Sequence, residues 1–104
     1  MTVMQRILAN MEREATEAAQ RRLDYLKDCY RANRTWQLER FGADTPSLAR
    51  WRDLSQGELL EVLTLARDRC RGNHSRREML NVAVLVERET IERSDRSLPT
   101  KSEN

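Results

Sequence analysis

Between Val3 and Phe41 the chain has neither glycine nor proline, so nothing in its covalent chemistry interrupts a helix across that span. Apolar residues recur there at Met4, Leu8, Met11, Ala15, Ala19, Leu23, Leu26 and Tyr30, stepping by fours and threes. The mean step is ~3.7 residues, so the stripe runs nearly straight along one helical face rather than winding as heptads would. Glu12, Arg13, Glu17, Arg21, Asp24, Lys27, Asp28 and Arg31 occupy the other flanks. This is an amphipathic helix. Unbroken it would reach ~57 Å at ~1.5 Å per residue, whereas a compact domain of this size has a radius of gyration of ~13 Å. The helix therefore breaks, with Asn33 to Thr35 the expected place, or lies along another subunit. A stripe this long, with few partners in its own chain, predicts a homodimer with the stripe residues at its interface. A monomeric helical bundle is the alternative.

The totals agree with a helical chain. At 104 residues it has the length of one domain, and 35% of its residues are charged while only 5% are aromatic. Long amphipathic helices have this composition and β-sandwiches do not. The expected fold class is all-α, a long N-terminal helix followed by shorter ones. No run of apolar residues is long enough to cross a membrane and the N-terminus lacks a signal-peptide core, so a cytoplasmic protein is expected. A formal net charge of +2 is too weak to argue for nucleic acid alone.

The stretch from residue 40 to 71 carries the punctuation. Phe41-Gly42 is expected to end the first helical region, with Gly42 just past the end in a left-handed conformation. Thr45-Pro46 starts a short helix, Thr as cap and Pro at the first helical position. Ser55 with Glu58 is a capping box that opens a core helix over about 56–71, and Gly72-Asn73 stops it. Ser75 with Glu78 repeats the box and opens a last helix to about Ser94. Val82, Val84 and Val86 alternate as in a strand, but a lone strand would have nothing to pair with, so the helix is preferred. From Asp95 the polar, proline-containing sequence predicts a disordered tail over 95–104, leaving 1–94 as a single helical domain.

Catalysis finds no foothold. The carboxylates lie along helix flanks among Arg neighbours, His74 sits in a turn, and no phosphate loop, HExxH or GxSxG occurs. Cys29 and Cys70 have no metal-binding spacing, and one His does not complete a site with them. A non-enzyme without metal or cofactor is expected. Arg67, Arg69, Arg71, His74, Arg76 and Arg77 form the one local charge concentration, opposed inside it only by Asp68. Of these, Arg69, Arg71, Arg76 and Arg77 are the candidates for DNA phosphate contacts; the plain alternative is a solvated hairpin. Trp36, Phe41, Leu48 and Trp51 flank the first turn and are the candidate partner-binding surface, or simply pack the joint.

Arg40-Phe41-Gly42, Leu48, Leu54-Ser55, Leu59-Leu60, Val62 and Cys70 together resemble the flagellar transcriptional activator subunit family FlhD. That family carries Arg-Leu-Gly, a short helix, a Leu-Thr/Ser step with apolar pairs after it, and a Cys near the core helix end. The stretch Arg40 to Cys70 matches this register without a gap. The resemblance implies an intertwined homodimer that joins a zinc-containing FlhC-like subunit, binds promoter DNA with it and recruits RNA polymerase. The family's interface Cys carries over onto Cys70. Relatives occur on conjugative plasmids and integrative elements, where they activate transfer genes. Here the chain is shorter after Cys70, and Gly72 to Ser75 stands where the family has a longer segment. The expected function is thus a D-type subunit of a heteromeric transcriptional activator. A small helical adaptor or inhibitor that never meets DNA is the second reading, and an independent helix–turn–helix DNA binder the third.

Overall fold

The computed structural model describes residues 2–97, and they are helical throughout with short connections. Helix α1 spans Val3–Ala32, α2 Arg34–Asp44, α3 Gln56–Arg69 and α4 His74–Ser97; two single 3₁₀ turns, Pro46–Leu48 and Trp51–Asp53, join α2 to α3. No strand occurs among the described residues. The all-α expectation holds. The apolar stripe does break within its expected window. Asn33 adopts φ −124°, ψ 29°, and its N–H turns to the carbonyls of both Cys29 and Tyr30. One residue off helical geometry is enough to turn α2 away from α1.

The caps decide where helices start. Thr2 Oγ1 accepts from the Gln5 N–H while Gln5 Oε1 accepts from the Thr2 N–H, a capping box that anchors α1. Ser55 and Glu58 form the same reciprocal pair at α3, at 2.9 and 3.2 Å. The second expected box does not form. α4 starts earlier, because Asn73 Oδ1 accepts from the Arg76 N–H at 3.0 Å and so caps the helix ahead of Ser75. Glu78 is thereby released to reach α1. At its far end α4 continues through Asp95 to Ser97, past the expected stop; the rest of the predicted tail lies outside the described residues.

Gly42 corrects another expectation. It lies inside α2, which continues to Asp44, and among the described residues only Gly72 has a positive φ, at 77°. A Cβ on Gly42 would stand 2.7 Å from the Leu48 carbonyl oxygen, so glycine is needed there for close approach of the 3₁₀ turn. Thr45 is extended before Pro46 as expected, but its hydroxyl caps nothing and instead accepts from Arg76.

The core gathers around α4. Leu80, Val82, Ala83, Val84 and Val86 are all buried, with Leu59 and Leu63 of α3, Leu38 and Phe41 of α2, Leu48 and Trp51 of the 3₁₀ turns, and Tyr30 of α1. Positions two apart on a helix point to roughly opposite sides, so the valine alternation marks a helix covered nearly all round. The molecule is far from spherical. Its radius of gyration is 18.2 Å, against ~13 Å for a compact chain of this length, because half of α1 extends beyond the core.

Candidate interaction surfaces

Two halves of α1 have different fates. From Leu23 onward the stripe lies on α4: Leu23 and Leu26 are half-buried and Tyr30 is fully buried. Three polar bridges pin this half to α4, Arg22 to Glu78 at 2.9 Å, Lys27 to Glu89 at 2.6 Å and Arg31 to Glu89 at 3.0 Å. The hydrogen bond from Arg22 holds the Glu78 carboxyl below the usual carboxylate range, and that from Lys27 does the same for Glu89. The outer half has no such cover. Every described residue before Leu23 is exposed, including Met4 at 63% and Met11 at 59%, with Val3, Ile7, Leu8, Ala15 and Ala19. Of the expected dimer-interface residues, Met4, Leu8, Met11, Ala15 and Ala19 thus present an open apolar face. Tyr30 does not, because it is enclosed within its own chain.

Tyr30 belongs to a buried network that the sequence reading missed. Its hydroxyl donates to Glu87 Oε2 at 2.8 Å, and Arg34 grips both Glu87 oxygens at 2.8 and 3.0 Å. Burial, reinforced by the adjacent Glu87 charge, drives the Tyr30 phenol well above its ordinary range. Tyr30 lies in the last turn of α1 and Arg34 begins α2, so Glu87 clamps the kink from both sides. Glu87 follows directly on the apolar run Val82–Val86 of α4 but precedes Arg88 and Glu89, so local spacing does not mark it as buried.

The joint between α2 and α3 separates its aromatics in the same way. Phe41, Leu48 and Trp51 are buried and pack the joint, which removes them from the expected partner-binding surface. Trp36 remains, 57% exposed, with the Arg40 guanidinium 5.2 Å from its ring centre. Trp36, Arg40 and Met79 line an open hollow of about 460 Å³ between α2 and the start of α4.

The arginine hairpin is likewise divided. Arg76 donates to Asp44 at 3.1 Å and to Thr45, and it lies over Phe41, so it ties α4 to α2 and is withdrawn from the phosphate candidates. Arg67 donates to Asp68 and Asn81. Arg69, Arg71 and Arg77 are exposed, with no ion-pair partner among the described residues. Together with His74 they ring the α3–α4 turn. Cys70 is half-buried just after α3, its thiol 3.7 Å from the Asn73 carbonyl oxygen.

Among the described residues, no His, Cys, Asp and Glu cluster is suited to hold a metal, and no helix is long and apolar enough to cross a membrane. What the fold presents is an all-helical scaffold with one uncovered helix face and a basic turn. Compared with known protein families, curated proteins and solved structures, the chain finds no match in any of the three.

Proposed function

We propose that this protein is the non-catalytic, dimeric D-type subunit of a two-protein transcriptional activator of the FlhD and FlhC kind. In this reading a zinc-containing FlhC-like subunit supplies sequence recognition on promoter DNA, and the complex recruits RNA polymerase. The observation that carries it is the uncovered apolar face of α1, since a helix that projects apolar side chains into water belongs to a larger assembly. The register of residues from Arg40 to Cys70 supports the family. Arg69, Arg71 and Arg77, exposed at the α3–α4 turn, would contact phosphates in the docked complex. Plasmid conjugation or flagellar genes are the processes such a subunit would serve.

The test is a salt series on one specific and one random duplex, with the isolated protein and with the complex. The isolated protein binds both weakly, because net charge +2 releases few counterions. In the complex, Arg71→Ala with Arg77→Ala weakens all duplexes equally and lowers the slope of log affinity against log salt by roughly one unit per lost contact. Tight, selective binding by the isolated protein would favour an independent DNA binder. An unchanged slope would leave the second reading, a helical adaptor, which the exposed Trp36 beside its open hollow supports.

A further inference from the structure

The outer half of α1 has an internal symmetry that specifies how it pairs. Eleven residues make three helical turns at ~3.67 residues per turn, so residues eleven apart share one place on the face. Met4 and Ala15 are related in this way, as are Ile7 and Ala18, and Leu8 and Ala19. Each position is thus large in the first three turns and alanine in the next three. Charge changes with it. Residues 3–11 carry only Arg6, a net +1, while residues 12–19 carry Glu12, Arg13, Glu14 and Glu17, a net −2.

We infer that the outer halves of α1 from two copies pair antiparallel, with the twofold axis at Met11. The inference rests on the dimer reading above and adds its geometry. Antiparallel pairing lays Met4 of one copy against Ala18 of the other and Ile7 against Ala15, with Leu8 at the edge beside Glu14, so bulky residues meet alanine along the centre of the seam. It also sets each positive end beside a negative end and opposes the two helix dipoles. Parallel pairing would set large against large, alanine against alanine, and like charges side by side. The longer antiparallel register, centred on Glu17 and matching Met4 with Tyr30, is closed because Tyr30 is 0% exposed in its own chain. A lipid surface is a poor occupant, since membrane-bound amphipathic helices carry strongly basic polar faces and residues 3–22 set four Arg against three Glu.

Cysteine pairing tests it, in a background with Cys29→Ser and Cys70→Ser. The probed residues are all exposed in the single chain, so substitution there leaves its core intact. Under mild oxidation Met11→Cys gives a covalent dimer by itself. Met4→Cys and Ala18→Cys do not, yet an equal mixture of the two cross-links. Rapid self-linking of Met4→Cys would overturn the antiparallel register while leaving the dimer standing. A wild-type monomer in light scattering at tens of micromolar would overturn both. Ala15→Leu with Ala18→Leu, in the otherwise native chain, gives a second and independent sign. Antiparallel pairing predicts a clash and a dimer weakened about ten-fold or more, whereas parallel pairing predicts a filled gap and a tighter dimer.

Discussion

At Gly42 a single hydrogen stands where a methyl group would meet the Leu48 carbonyl oxygen, while Gly57 in the first turn of α3 faces open space. The two glycines therefore respond oppositely to the same substitution. Gly57→Ala raises stability by up to about 0.5–1 kcal/mol through helix propensity and lost unfolded-state freedom. Gly42→Ala lowers it by about 1–3 kcal/mol, since displacing a packed backbone outweighs the propensity gain. Denaturant melts of the two single variants check the difference in sign. The sequence identified Gly42 as special but for the wrong reason, because a close approach between segments leaves no mark on local spacing. Glu87 was invisible for a similar cause. Its partners Tyr30 and Arg34 lie far away in the chain and meet only when α1, α2 and α4 assemble.

Among the elements, local signals were legible and reach was not. The Ser55–Glu58 box and the break near Asn33 follow from short-range rules, and both appear; α3 stops earlier than expected, at Arg69 with an extended Cys70 as its cap, and Gly72 turns the chain after that end. The Ser75 box failed because Asn73 competes for the same helix start, which leaves Glu78 for Arg22 on α1. The α1–α4 contact then has a pH signature. Glu78 and Glu89 are held below the usual carboxylate range in the folded chain, so their contribution is present above about pH 4.3 and is lost as pH falls further. Tyr30 is shifted the other way, so its contribution is present below about pH 10 and declines above that. Thermal melts across pH should thus show an acid limb that Glu89→Gln flattens and an alkaline limb that Tyr30→Phe flattens. Unchanged limbs in these variants would mean the pairs do not couple to folding.

At the scale of the whole molecule the chain has two parts, a core from Leu23 onward and a projecting helix before it. The all-helical class and the unpartnered stripe were readable from periodicity alone. Which part of the stripe stays uncovered was not, because that depends on where α4 begins against α1. Apart from Arg22, which pairs with Glu78, the core makes no use of the projecting half, whose described residues are all exposed. A chain beginning at Ala18 should therefore melt cooperatively, within a few degrees of the full chain at submicromolar concentration, yet stay monomeric at any concentration. Calorimetry with light scattering checks both. A collapse of the melt would mean that the outer turns support the core directly.

The outer half of α1 also has to stay helical with no packing to hold it. A segment of this length, about 30 Å at 1.5 Å per residue, is marginal as an isolated helix in water. Here the anchored half supplies the nucleus, so unwinding starts at the free end and travels inward only until Arg22 meets Glu78. Amide exchange should consequently grade along α1, fastest near Val3 and slowest near Tyr30. Association ties down the frayed end. The helix content of a solution, read by circular dichroism, then becomes a measure of how many chains have found one another.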